Sequence, residues 1–355
     1  MIPILVASNT PYAGRTFVSL GLAMKLKEMD YDVGYMKPLG TVPVKSGSAI
    51  YDADALFARE VLGLMDPIET VSPFVLDFEQ QARLLSGELK DAHKRVLAAF
   101  RTLKKKDFAI IGGAGDLFEG ALTGLDALSL AEAMKAFVLF VEPWRGDVSL
   151  DALYGAAQLF GDRFAGAVLN KVPEAAMSRV KQEIKPYLHK KGVPLFGAFP
   201  KDRFLESVTV RQLSEILNGK VLSGETRLDE HVENFLIGAM DVDSALTYFR
   251  RTPNKAVITG AHRSDIQLAA METSTKCIII TGGLQTNEVV LGKARATSTP
   301  ILSVPDDTFS TIDKIELRVG KTSIRERSKV ERAKQILDAE FDMFGFLKRV
   351  KAKTR

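Results

Sequence analysis

The sequence predicts an α/β protein in two domains, a mainly parallel-sheet domain followed by a smaller α/β one. Three observations carry this. Short β-branched and apolar runs alternate with helical patterns from the first residues onward, the signature of βαβ units. At 355 residues the chain exceeds one ordinary domain. Between residues 208 and 233 the alternation loosens into polar stretches such as Leu217-Asn218-Gly219 and Leu222-Ser223-Gly224. The expected domains are therefore 1–215 and 220–355.

The elements follow in order. Residues 2–7 read as a buried strand, and residues 16–29 as a helix with Val18, Leu22, Leu26 and Met29 on one face. Strands follow at 33–36, at 108–111 after the solvated run 104–107, at 137–141 and at 165–169. The segment GVPLFGAFP, 192–200, closes the first domain. In the second, 256–259, 277–281 and 300–304 read as strands, with helices over 265–273 and from about 286. A last long helix, assigned to the second domain, places Val330, Ala333, Ile336, Leu337, Phe341 and Phe344 on a stripe that reads as core packing.

Composition narrows the class. Hydrophobic residues make up 46% and charged residues 26% of the chain, as in globular proteins. No stretch approaches 18 uncharged apolar residues, so a membrane span is not expected. The opening MIPILVASNT has no basic segment and too short an apolar run for a signal peptide, so a cytoplasmic location is expected. One cysteine, Cys277, excludes a disulfide framework, and four scattered histidines give no multi-histidine metal site. The net charge of +4 is mild, and Lys348, Arg349, Lys351, Lys353 and Arg355 crowd the end without interleaved aromatics. That pattern reads as a solvated terminus and argues against nucleic acid as the partner.

The most informative segment is Ser8-Asn9-Thr10-Pro11-Tyr12-Ala13-Gly14-Arg15-Thr16, between the first strand and first helix. There, successive backbone N–H groups and the helix dipole can surround a phosphate while a hydroxyl holds Mg²⁺. Against G-x-x-x-x-G-K-[ST] the first glycine is missing and Arg15 replaces lysine, while Gly14 and Thr16 are retained. The alternative is a polar turn capped by Thr10 and Thr16. Lys37-Pro38-Leu39-Gly40 then follows the second strand, Asp52-Ala53-Asp54 opens a helix, Ile111-Gly112-Gly113-Ala114-Gly115 ends the third strand, and Leu169-Asn170-Lys171-Val172-Pro173 ends a later one.

In this order the set resembles the dethiobiotin synthetase-like branch of P-loop proteins, which includes the cobyrinic acid diamide synthetases. The resemblance covers roughly 1–205 and is closer still to the N-terminal region of long bacterial phosphotransacetylases, through the helix with Ser19 to Leu22 and the Lys-Pro pair. Thr259-Gly260-Ala261-His262-Arg263-Ser264-Asp265 and Ile280-Thr281-Gly282-Gly283 resemble the DRTGG domain that follows in those proteins. Within these 355 residues nothing resembles the acetyl-transferring domain of those proteins. The resemblance thus implies a P-loop parallel-sheet domain, dethiobiotin synthetase-like, followed by a smaller α/β DRTGG-like domain, as a homodimer.

It also implies roles. Thr10, Ala13, Gly14, Arg15, Thr16 and Phe17 would hold ATP or a related nucleotide, or another small phosphorylated ligand. Asn170 would read the base, Thr16 and Asp54 would hold Mg²⁺, and Lys37 would meet the substrate's negative group. Each has a plainer alternative: Asp54 opens a helix, Lys37 lies on the surface, Asn170 caps a turn. Gly112 stands where the family carries a glutamate, with Asp116 and Glu119 nearby as substitutes. In the second domain Gly260, Arg263, Gly282 and Gly283 sit past strand ends, where anions bind, or else they turn the chain and form an ion pair. Two lost catalytic charges favour a nucleotide-binding regulatory or sensor protein with weak or no ATP turnover. The alternatives are an ATP-dependent ligase acting on a small carboxylate and a dimeric scaffold.

Overall fold

The computed structural model describes residues 1–47, 49–319 and 325–353. Arg355 of the basic terminus lies outside them. The chain divides into two compact units: residues 1–201 with 323–355, and residues 202–322.

The strands of the first unit are β1 (Ile2–Ala7), β2 (Val33–Met36), β3 (Pro43–Ser46), β4 (Ala49–Asp52), β5 (Phe108–Gly112), β6 (Phe137–Pro143), β7 (Phe164–Val172) and β8 (Leu195–Pro200). Six of them form a sheet of order β2-β5-β1-β6-β7-β8, every neighbour parallel. β1, β5 and β6 are central and apolar, as strands covered on both faces must be. The exposed antiparallel hairpin β3–β4 was not legible in the sequence. Helix α1 (Arg15–Glu28) follows β1 directly and buries Phe17, Val18, Leu20, Leu22 and Leu26, with Lys25 and Lys27 on the negative end of its dipole. Helix α2 (Ala53–Val61) is capped by Asp52, whose carboxylate accepts from the N–H groups of Asp54 and Ala55.

The C-terminal segment corrects one expectation. It belongs to the first unit rather than to the second domain. It is also two helices, Arg327–Glu340 and Met343–Ala352. Between them Phe341 is extended and bridges Gly197 of β8, and Asp342 caps the second helix. Val330, Ala333, Ile336 and Leu337 are buried, whereas Phe344 is 80% exposed and leaves the stripe. The first of these helices packs on α1 and β8. The absent side chain of Gly21 makes room for it, since a Cβ there would lie 2.8 Å from Leu337 Cδ1. Ion pairs Lys25–Asp338 (2.7 Å) and Lys334–Glu28 (2.8 Å) flank this apolar contact.

The second unit holds β9 (Val208–Thr209), β10 (Lys220–Ser223), β11 (His231–Val232), β12 (Asn234–Ile237), β13 (Lys255–Gly260), β14 (Thr275–Thr281) and β15 (Ile301–Ser303). Its sheet runs β10-β15-β14-β13-β12, parallel except for the edge strand β10. The three strands expected there are present, and β12 joins them. Alternate residues of β13 and β14 fill two cores, one on each face: Ala256, Ile258, Cys277 and Ile279 on one, Val257, Ile278 and Ile280 on the other. The break between the units falls at 201–202 rather than near 220. Among the described residues no helix is long and apolar enough to cross a membrane.

Candidate functional site

The loop between β1 and α1 has the geometry of an anion cradle. Gly14 is the residue before the helix, at φ 100°, and no side chain caps this helix end. Neither Thr10 nor Thr16 caps it; the side-chain turn in this loop is earlier, where Ser8 Oγ accepts from Thr10 N at 3.1 Å. A Cβ on Gly14 would lie 2.1 Å from Asn170 Nδ2, so both the backbone angle and the packing demand glycine. Tyr12 is also left-handed, at φ 57°. Among the described residues, the N–H groups of residues 12–17 have no acceptor within the chain. Asn9 Oδ1, Thr10 Oγ1 and Arg15 Nε are buried without a hydrogen-bond partner. A run of unmet donors with buried orphan polar atoms beside it fits a phosphate group.

Arg15 does not extend into that space. Its Nη1 donates to Thr10 O (3.0 Å) and Gly115 O (2.6 Å), so the guanidinium ties the loop to the segment after β5. Burial pushes its pKa down to about 10, against the opposing pull of Glu119 and Asp116. Those two carboxylates, the candidate substitutes for the missing glutamate, close their own turn. Asp116 Oδ1 accepts from Phe118 N and Glu119 N, and Glu119 Oε2 accepts from Gly115 N.

On the other flank, Lys37 is buried rather than on the surface. Its Nζ donates to Asp52 Oδ1 (2.8 Å) and Asp54 Oδ2 (2.9 Å). Asp52, fully buried, also accepts from the N–H groups of Thr41 and Val42 and caps α2. Asp54 has its second oxygen 3.2 Å from Arg325 Nε. Tyr35 reaches the same cluster. Burial first, then the nearby carboxylates of Asp54 and Asp52, push its pKa up, so it stays a neutral phenol. Its hydroxyl lies 2.8 Å from where a Cβ on Gly112 would be. The space a glutamate would need is filled by Tyr35.

Thr16 stands in the first turn of α1 with no partner for its hydroxyl among the described residues. It and Asp54 are the residues that could hold Mg²⁺, a cation that takes few protein ligands and keeps phosphate and water oxygens. Among the described residues no group of three His, Cys, Asp or Glu side chains is arranged for a metal. Asn170 is placed differently from the base-reading expectation: its Nδ2 donates to Ala13 O (2.8 Å) and its Oδ1 accepts from Lys171 N (2.9 Å), so it braces the loop. Ala13 and Phe17 are buried and support the loop from below.

One residue went unread. Glu142, at the end of β6, is fully buried; Arg145 holds its Oε1 at 2.6 Å, and its Oε2 has no hydrogen-bond partner. Burial pushes its pKa up against the pull of Arg145. The signal was a lone acid in an otherwise apolar strand, FVLFVEP.

In the second unit the expected anion site is otherwise employed. Arg263 donates to both oxygens of Asp265 (3.0 and 3.1 Å) and to Met240 O (2.7 Å). Gly282 and Gly283, at φ 88° and 67°, give their N–H groups to Asp306 O and Val304 O. Gly260 has open space around it, and its carbonyl accepts from Gln267 Nε2. These residues turn the chain and pair charges, leaving no convergent donors.

The fold and the loop define a P-loop-type α/β domain followed by a second α/β unit. Comparison with known proteins agrees. The AAA domain family profile matches residues 3–209, and the chain belongs to that family; the DRTGG domain profile matches residues 212–317. Over 99% of its length the chain is 22% identical to the phosphate acetyltransferase of Synechocystis, covering 52% of that protein. It thus spans about half the length of that relative. It is 34% identical over 116 residues to the ATP-dependent dethiobiotin synthetase of Methanocaldococcus jannaschii, covering 32% of this chain and 52% of the relative. A Bacillus cereus dethiobiotin synthetase is 23% identical over 66% of this chain and 96% of its own.

Proposed function

We propose that the protein is a nucleotide-binding regulatory or sensor protein whose P-loop domain holds ATP or a related nucleotide with Mg²⁺ and turns it over weakly or not at all. It acts as a cytoplasmic homodimer in this reading. The carrying observation is that the groups phosphoryl transfer needs are occupied by structural work. Arg15 binds backbone carbonyls, Lys37 is clamped between Asp52 and Asp54, and Tyr35 fills the place of the missing carboxylate. Binding needs less: the unmet N–H groups of residues 12–17 and the Thr16 hydroxyl suffice to hold phosphates and to offer the metal one oxygen. When bound, Mg²⁺ supplies charge neutralisation to the phosphates.

Isothermal titration with ATP and Mg²⁺ tests this. Saturable binding is expected in the parent, and Thr16→Val should weaken the Mg²⁺-dependent part while leaving metal-free binding. Absence of any nucleotide or phosphate binding would leave the domain a scaffold and overturn the reading.

A further inference from the structure

At the opposite end of the first unit's sheet lies a cavity of about 600 Å³, lined at the starts of β1 and β6 by Ile2, Pro3 and Phe137. Five cationic side chains converge on it from separate elements: Arg101, Lys104, Lys135, Arg163 and Lys353. No acidic side chain is among its described lining residues. Leu97, Phe100 and Met134 complete an apolar floor.

Three features describe its lining. Arg101, Lys104, Lys135 and Arg163 have no carboxylate within ion-pair distance among the described residues. Lys106, two residues from Lys104, is paired with Asp32 at 2.9 Å and lies within 3.7 Å of Asp66, while at the cavity Asp162 exerts its pull on Lys353. Next, Lys135 sits at φ 52° directly after a helix, a place glycine normally takes. The turn is an ordinary helix end closed by the bond from Ala136 N to Ala131 O, and it leaves Lys135 exposed among the lining residues. Finally, Lys353 is anchored on Phe164 O and Asp162 O beside Arg349, whose Nε is buried without a hydrogen-bond partner. A set of cations without carboxylate partners beside an apolar floor offers an anionic ligand both charge and cover.

We infer that this cavity is a second ligand site, for a phosphate ester carried on an apolar or aromatic body, separate from the P-loop. Five residue steps of β1 separate the two, about 17 Å at strand spacing. The cations bind the phosphate, and Phe100, Met134 and Phe137 cover the body. Neither half suffices, so inorganic phosphate binds much more weakly than a phosphate bearing an alkyl chain.

The probes are octyl phosphate and inorganic phosphate, titrated into the full chain by calorimetry at low and moderate salt. Octyl phosphate should bind saturably, at least tenfold tighter than inorganic phosphate, and weaken as salt rises. The Lys104→Gln/Lys135→Gln/Arg163→Gln variant should lose tenfold or more. These positions are at the surface, and an unchanged circular dichroism spectrum and melting temperature will establish that the variant folds. Equal octyl phosphate affinity in variant and parent, equal affinity for the two probes, or no saturable binding would each overturn the assignment.

Discussion

Gly14 is the residue on which the loop turns, and its substitution shows how much the site depends on a small local choice. Gly14→Ala forces a side chain into the left-handed region, which costs about 1–2 kcal/mol, and aims its Cβ at the Asn170 amide. Nucleotide binding by calorimetry should be lost along with some stability. Gly112 gives the reciprocal case. Gly112→Ala meets the Tyr35 hydroxyl at 2.8 Å, an overpacking cost of about 1–3 kcal/mol. Tyr35→Phe removes that oxygen, so the double variant should recover much of the loss in a denaturation series. Lys255 makes the third argument, in the second unit. It is fully buried; among the described residues its Nζ has no hydrogen-bond partner, and it lies 5.6 Å from the centre of the Phe249 ring. Burial lowers its pKa to about 8, below the unfolded value of about 10.4. Between those values the unfolded chain binds more protons, so stability contributed at this site rises with pH and is lowest below about 8. Lys255→Met should therefore stabilise the protein by about 1–3 kcal/mol at pH 7, with a smaller gain at pH 10. A gain that does not shrink with pH would refute the buried charge.

At the scale of elements, the sequence was most legible where periodicity and burial agree. The central strands β1, β5, β6 and β7 and the helix α1 stand where alternation put them, because a doubly covered parallel strand must be apolar throughout. The hairpin β3–β4 was missed because its exposed residues carry no hydrophobic period. The C-terminal helices were recognised by their stripe yet assigned to the wrong unit, since a stripe tells that a face is buried but not against what. Gly21 is the only local hint, and it becomes one only beside Leu337. Site residues divide in the same way. The loop could be read because backbone chemistry fixes residue types at Gly14 and Thr16. The fates of Lys37 and Asn170 could not, because each depends on partners distant in sequence, whereas the ion pair of Arg263 with Asp265, two residues on, was among the readings the sequence offered. The helix contact can be checked directly. Leu337→Ala removes a buried side chain from the α1 contact and should cost about 2–4 kcal/mol in unfolding free energy. Phe344→Ala, at a residue left 80% exposed, should cost almost nothing.

For the whole molecule the question is whether bound nucleotide reacts. Phosphoryl transfer needs cations that follow the moving charge and a metal held in register. Arg15 donates to Thr10 O and Gly115 O, and Lys37 is held by two aspartates, so neither cation is poised over the loop. No carboxylate can enter from position 112 while Tyr35 stands there. Each lost electrostatic stabiliser typically costs about 10²–10³ in rate, and enzymes commonly turn over at about 10 s⁻¹. Two losses predict a steady-state ATP turnover of about 10⁻³ s⁻¹ or less. Restoring the family pattern by Arg15→Lys with Gly112→Glu should not recover activity, because the new side chain collides with Tyr35. Adding Tyr35→Gly opens that space and is the combination in which turnover should rise. The measurement is phosphate release, alone and with small dicarboxylates or diamines, for the parent and both combinations. A parent rate near 1 s⁻¹ would put the ATP-dependent ligase first. A rise already in the double variant would show that Tyr35 yields and that its hydroxyl is not what closes the metal site.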